Sequence, residues 1–184
     1  MFSDRNDSIH PRANASSGFS LVELLVVIAI IGILSSLATV AVFQARDKAK
    51  LARAKGDVRQ LVTAIQLLSA DTGKWPNGCP VEAVSNPEIN LTSAQAGIVA
   101  TPTVGNQGGG CTWTAGDIGR WGGPYMQIVE DPWGNNYYFD PDFTGYANCG
   151  SETTQAEAPV VLSFGPNGAG LNDYDCDDIW AVLR

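Results

Sequence analysis

From Leu24 to Phe43 the chain runs for twenty residues in which only Ser35, Ser36 and Thr39 carry polar side-chain atoms, and none of the twenty is charged. A helix of that length crosses a hydrocarbon core of about 30 Å. A secretory signal would place small residues and a cleavage site after such a run; here the recognisable junction, Gly18-Phe19, comes before it. A single carboxylate, Glu23, stands at the polar-to-apolar border, four residues after Phe19. An unpaired acid entering a membrane costs about 2.5–3.5 kcal/mol, which makes an acid at this position a functional-site candidate.

The helical signal does not stop where the apolar run ends. Gln44 to Ala70 contains no proline and one glycine, and is rich in Ala, Lys, Arg, Leu and Gln, all good helix formers. Val58, Leu61, Val62, Ile65 and Leu68 recur at helical spacing as one stripe for a core. Ala45, Ala49, Ala52 and Gly56 form a narrow seam of small residues, and Gly73 followed by Pro76 is a stop signal. One continuous helix from Phe19 to about Asp71 would be about 80 Å long at its usual rise per residue.

Beyond the apolar run the charge is segregated. Residues 46–59 hold six basic and two acidic side chains, whereas Trp75 to the end holds two arginines and thirteen acids. A basic collar beside a membrane helix suits anionic headgroups, at about 1 kcal/mol per residue; it equally suits a solvated face that meets acidic neighbours. An acidic distal part repels phosphate, so no nucleic acid is expected as a partner. The one histidine, His10, precedes Gly18, so a chain cut after Gly18 has no imidazole for base, triad or metal work. A non-enzymatic role is expected, and clustered acids are the sole alternative.

Cys79, Cys111, Cys149 and Cys176 all follow the apolar run, with no Cys-x-x-Cys spacing. This argues against zinc or thioredoxin-like chemistry and for two disulfides in an exported domain. Three connectivities are open. Sequential pairing, Cys79–Cys111 and Cys149–Cys176, is preferred because each bridge closes a Gly- and Asn-rich loop, with about 3 kcal/mol of stabilisation apiece.

Residues 74–123 are punctuated by Pro76, Pro80, Pro87, Pro102 and Gly108-Gly109-Gly110. They read as a long loop region with one short element near Leu91–Val99. Tyr125–Val129, Asn136–Phe139, Val160–Phe164 and Ile179–Leu183 are short β-branched or aromatic runs bounded by turns. Three or four antiparallel strands over the helix stripe give an α+β fold. Within Asp131-Pro132-Trp133-Gly134-Asn135, Pro132 fixes φ, Gly134 can take φ > 0 and Asp131 can bond its own backbone; Trp133 is expected to be a buried plug between helix and sheet.

The C-terminal stretch Phe164–Asp178 ends in four carboxylates within six residues, Asp173, Asp175, Asp177 and Asp178. Asp173, Asp175 and Asp177 alternate as in an EF-hand, but the sixth position is Asp178 rather than Gly and the twelfth is Arg184 rather than Glu. A hard cation with oxygen ligands, Ca²⁺ above all, would relieve the repulsion; a solvated acidic loop tied down by Cys176 is the plainer alternative.

Gly18-Phe19-Ser20-Leu21-Val22-Glu23-Leu24 resembles the class III signal of type IV pilins and type II secretion pseudopilins. Asp131-Pro132-Trp133-Gly134-Asn135-Asn136-Tyr137 is similar to the Asp-Pro-Trp-Gly-x-x-Tyr signature of major pseudopilins. The resemblance covers Gly18 to about Gly73 and again 125–179. It implies a pilin fold, a long N-terminal helix packed on a small antiparallel sheet. Its parts would be a prepilin leader (1–18), a transmembrane and assembly half-helix (19–43) and a periplasmic or extracellular head (44–184). The head would comprise the amphipathic helix 44–72, the loop region 74–123, and the sheet with the acidic loop (124–184).

The resemblance further implies cleavage after Gly18 and N-methylation of Phe19 by a prepilin peptidase/N-methyltransferase. Glu23 would pair with the α-amino group of a neighbouring Phe19 in a homo-oligomeric helical filament. The chain would be stored single-pass in the inner membrane, head outside the cytoplasm, and then assembled by an inner-membrane platform with minor pseudopilins into a periplasmic or surface filament. The expected role is a type II secretion pseudopilus subunit; the alternative is the major pilin of a surface type IV pilus serving adhesion, motility or DNA uptake. The family's C-terminal Ca²⁺ site, carried over, draws on the Phe164 carbonyl, Asn167 and carboxylates among Asp173, Asp175, Asp177 and Asp178. This chain departs from the pattern in four places. Its leader has no net excess of basic residues, Val40 stands where relatives often have Pro, Asn167 stands where they have Asp, and two residues are inserted between Asn172-Asp173 and Asp177-Asp178.

Overall fold

A computed structural model describes residues 18–83, 86–127, 130–144, 157–171 and 174–183. The chain divides into two units that separate between Ala45 and Arg46. One helix, α1 (Leu21–Thr72), carries the chain through both. Before Ala45 its large apolar side chains, from Leu21 to Phe43, are exposed. Its length and composition there suit a membrane span.

In the second unit the predicted stripe is the core. Val58, Leu61, Ile65 and Leu68 are fully buried, joined by Ala54 and Ala64, while Val62 packs at the margin. Opposite them stands a four-stranded antiparallel sheet in the order β1-β4-β5-β6, with β1 at Ile89–Asn90, β4 at Tyr137–Phe143, β5 at Ala158–Ser163 and β6 at Ile179–Val182. Alternate side chains of a strand point to opposite faces. Tyr137, Phe139, Val161, Ile179 and Ala181 join the helix-side cluster. Tyr138, Val160, Leu162, Trp180 and Val182 form a second cluster with Phe143, Phe164 and Tyr174 on the far side. The sheet is therefore buried on both faces, which is why Val160-Val161-Leu162 reads as an unbroken apolar run instead of alternating. Pro141 cannot donate to a ladder and sits where the β4–β5 register shifts, between Asp140 and Phe143.

The region 74–123 is more structured than its prolines and glycines suggest. It contains a 3₁₀ turn (Ala94–Ala96), a hairpin of β2 (Gly105–Gly108) with β3 (Cys111–Trp113), and a short helix α2 (Ala115–Arg120). Long-range contacts hold these pieces. The indoles of Trp113 and Trp121 donate to the carbonyls of Gln95 at 2.9 Å and Gly97 at 2.7 Å. Cys79 and Cys111 form a disulfide. Gly109 (φ 56°) abuts the Asn86 carbonyl, where any Cβ would collide.

The far end of α1 is capped from this region: Arg120 donates to the Thr72 carbonyl at 2.9 Å and to Asp117 at 2.8 Å, and α2 begins with a Thr114–Asp117 capping box. The stretch expected to be a strand at Tyr125–Val129 is not one over 125–127, and 128–129 lie outside the described residues. Tyr125 is spent on other bonds. Its backbone N–H donates to Ile98, its hydroxyl donates to Asp71 at 2.7 Å, and Gly122 donates to that hydroxyl. Burial first, and then the Asp71 carboxylate, push this phenol up to about 12.

The Trp133 expectation also needs correcting. Trp133 packs at the margin of the core, half-buried, and the fully buried tryptophan is Trp113 on the hairpin. Leu61→Ala should cost about 2–5 kcal/mol of stability, whereas Leu67→Ala, at a side chain 52% exposed, should stay within about 0.5 kcal/mol. Denaturant unfolding of the full chain in detergent measures both.

Candidate functional site

Two places gather the residues singled out by the sequence. At the first, Gly18 and Phe19 are exposed and lie ahead of the first helical residue, Leu21. Glu23 lies in the first turn of α1, where its Oε2 accepts from the Ser20 backbone N–H at 2.9 Å; the Ser20 hydroxyl oxygen accepts from the Val22 N–H at 3.3 Å. Ser20-x-x-Glu23 is capping-box spacing, a signal readable in the sequence that explains why the helix starts here. Within a single chain Glu23 thus satisfies one orphan donor, the Ser20 N–H, and favourably meets the positive end of the helix.

The second place is the acidic loop, built upward from β5. Ser163, at its end, donates its hydroxyl to Asp131 Oδ2 at 2.5 Å, and Asp131 Oδ1 accepts from the N–H groups of Trp133 and Asn135 at 2.9 and 2.8 Å. Asn135 in turn donates to the Gly165 carbonyl at 2.9 Å. The Asp131–Asn135 turn is therefore a brace that fixes the root of the loop. That role depends on contacts across about thirty residues, which local turn chemistry does not reveal.

From this root the Phe164 carbonyl accepts from Gly168 N–H at 3.1 Å, closing a turn. Gly165 (φ 60°) has no room for a Cβ because the Asp177 carbonyl is there, and Gly170 faces the Phe164 ring in the same way. Asn167 is brought to the acids: its amide donates to Asp175 Oδ2 at 2.6 Å and Asp177 Oδ1 at 2.8 Å, and its backbone N–H to Asp177 Oδ2 at 3.1 Å. Asp178 Oδ2 accepts from the Asp175 N–H at 3.1 Å.

Of the residues proposed as ligands, then, Asn167, Asp175 and Asp177 converge. Asp178 serves the loop backbone, Phe164 offers a carbonyl already accepting one bond, and Asp173 lies outside the described residues. Burial, then a side-chain hydrogen bond shared with Asp175, holds the Asp177 carboxyl above its usual range, while the bonds that Asp175 accepts from Asp177 and Asn167 hold it below. Among the described residues no three acid, histidine or cysteine side chains converge on one point. The two carboxylates supply oxygens that suit a hard cation; between them lies the amide nitrogen of Asn167, whose oxygen accepts from the Ala169 N–H at 2.7 Å. Cys176, between Asp175 and Asp177, is disulfide-bonded; its expected partner Cys149 lies outside the described residues.

Residues 13–39 match the prokaryotic N-terminal methylation motif. Together with the exposed junction before α1 and the α+β head, this places the chain in the pilin-like class whose N-terminal helix carries the processing signal. Type II secretion system core protein G of Pseudomonas aeruginosa is 30% identical over 126 residues, covering 67% of this chain and 72% of that protein. The protein of that name from Xanthomonas campestris pv. campestris is 27% identical over 170 residues, 91% of each. A type IV major alpha-pilin of Moraxella bovis is 37% identical over 82 residues, 45% of this chain and 51% of that one. The chain belongs to the family of type II secretion system core protein G, the major pseudopilins. That family is structural, and the apolar half of α1 is its membrane anchor.

Asp131→Ala would strip three donors of their charged acceptor at a site 4% exposed. The expected loss is about 3 kcal/mol or more, and hydrogen exchange should rise first at the amides of 165–168.

Proposed function

We propose that the chain is a structural subunit of a type II secretion pseudopilus, held in the inner membrane with its head outside the cytoplasm until it is built into a filament that drives protein export. The observation that carries this reading is the match to core protein G across both the N-terminal helix and the head, including 91% of the chain in one relative. The pilin relative matches over less than half of the chain, which leaves a surface type IV pilus as the weaker reading. In this reading a peptidase/N-methyltransferase cuts at Gly18-Phe19, and minor pseudopilins and an inner-membrane platform are the assembly partners. No catalytic step is assigned to the chain.

Glu23 has a defined part in such assembly. Cleavage creates a charged amine at Phe19, one residue before the Ser20 N–H that Glu23 already accepts. In a low-dielectric bundle an unpaired carboxylate is costly, so the amine of a neighbouring copy would attract it. Glu23→Ala is expected to be cleaved normally and to fail in filament formation, with at least about a tenfold drop in sheared filaments; filaments at the wild-type level would rule the pairing out.

We further propose that the acidic loop takes Ca²⁺ through Asp175, Asp177 and the side chain of Asn167, with Asp173 and the Phe164 carbonyl as additional candidates. What supports it is the convergence of two carboxylates on Asn167 and the glycines that seat the loop. Bound, the ion would supply charge neutralisation and order, and no chemistry. At 100 times its Kd it should add about 2.7 kcal/mol of stability, raising the Tm of the full chain in detergent by several degrees with Ca²⁺ but not Mg²⁺. Asp177→Asn should abolish the shift; an unchanged wild-type melt would return the loop to solvated surface.

A further inference from the structure

On the far face of the sheet, away from Asn167, the phenol oxygen of Tyr174 lies 2.6 Å from Asp140 Oδ2 and 3.1 Å from Glu88 Oε1. A phenol has one proton and can donate it to one acceptor. Its second contact with a carboxyl oxygen is attractive only if that carboxyl itself carries a proton and donates it back to the phenol oxygen. If neither acid is protonated, two lone-pair-bearing oxygens face each other in a poorly solvated site. Asp140 is 2% exposed, and Glu88 Oε2 is buried with no hydrogen-bond partner among the described residues.

Among the described residues no compensating cation pairs with this cluster. From β4, Asp142 approaches: its backbone N–H donates to Asp140 Oδ1 at 3.0 Å, and its carboxylate accepts from Asn86 at 2.8 Å. On β5 the residue paired with Asp140 is the apolar Val160. Phe143 stacks on the Tyr174 ring, with centroids 5.0 Å apart, and Trp180 packs on Phe143. None of Glu88, Asp140 or Asp142 forms an ion pair among the described residues.

We propose that Glu88, Tyr174 and Asp140 form a proton-held latch: one carboxyl proton, in addition to the phenol's own, clamps the C-terminal acidic segment onto β4 and onto the residues before β1, and loss of that proton loosens the segment. Tyr174 is the handle because its hydroxyl meets both carboxyls while its ring packs on Phe143. The electrostatics agree. Burial above all pushes the Asp140 carboxyl up to about 7, outweighing the lowering pull of the Tyr174 hydroxyl and the Asp142 backbone N–H, with the Asp142 side chain and the charge of Glu88 adding to the rise. Burial also raises Glu88, against the pull of the Tyr174 hydroxyl and with the charge of Asp142 adding to it. A carboxyl whose value is raised by folding contributes stability that is complete below its unfolded value near 4 and is lost as pH rises through about 7. The latch is therefore closed in mild acid and open in mild alkali. It does not depend on a cation or on the pseudopilus reading.

The test uses the full chain in detergent with chelator present, labelled for carboxyl ¹³C detection. Across about pH 4 to 9, one of the Glu88 and Asp140 carboxyls should titrate with a midpoint above about 6. Hydrogen exchange at the amides of 174–178, corrected for intrinsic rates, should quicken about tenfold over the same rise, a factor equal to one unit of proton linkage. Tyr174→Phe keeps the ring packed on Phe143 and should exchange at the fast, alkaline level at every pH. Asp140→Asn, which mimics the protonated acid, should remove the high titration and leave a Tm that is flatter with pH. Midpoints below about 5 for both acids would overturn the latch, as would a Tyr174→Phe chain whose corrected exchange follows pH as the wild type does. Either result stands even if Asp140→Asn fails to fold.

Discussion

Burial of one face of α1 between Ala54 and Leu68 is the constraint on which the head depends. A helix with a single apolar stripe cannot persist in water by propensity alone; it needs a surface to cover that stripe. Here two surfaces do so. The sheet supplies Tyr137, Phe139 and Val161, and the 3₁₀ turn and hairpin supply Ala96, Ile98 and Trp113. The polar trim on this packing is also directed at the helix. Tyr137 donates to Asp57 at 2.9 Å, Tyr125 to Asp71, and Arg120 to the terminal Thr72 carbonyl. The bond from Arg120 satisfies a terminal carbonyl that packing buries.

With one sheet face committed to α1, the other would have been an exposed apolar surface. The C-terminal segment covers it with Phe164 and Tyr174, while Phe143 and Trp180 fill the gap between them. This cover sets the position of every acid in the loop. Asn167, Asp175 and Asp177 come together because Phe164 and Tyr174 are both anchored, one through Ser163 and the Asp131 brace, the other through Asp140. Two acidic groupings thus adjoin one loop: a pair of loop carboxylates bridged by the Asn167 amide, and a buried contact in which Tyr174 of the loop meets Asp140 of β4 and Glu88 before β1. Both answer the same problem, a chain that is strongly acidic after residue 75, in environments of different polarity.

At the N-terminus the physics is simpler. Ser20 and Glu23 complete the first turn of α1 locally, so the carboxylate that assembly would use is already oriented by its own helix.

The long apolar half of α1, the helical stripe, the N-terminal motif, the excess of acid and the approximate positions of β4, β5 and β6 were legible in the sequence. Each rests on local periodicity, on a contiguous motif or on covalent composition, and these survive in any fold the chain adopts. What the sequence could not decide involves residues far apart along the chain. The region 74–123 looked like loop because its order comes from two indoles reaching back to Gln95 and Gly97 and from a disulfide, none of which leaves a periodic trace. Trp133 looked more central than Trp113 because the turn motif around it is conspicuous, whereas burial depends on which surface α1 meets. The brace from Asp131 to Ser163 and the Glu88–Tyr174–Asp140 contact join residues 32 to 86 apart, and the second core joins side chains of three strands. Only tertiary structure could place them, because proximity across that distance is settled by how the apolar faces pack.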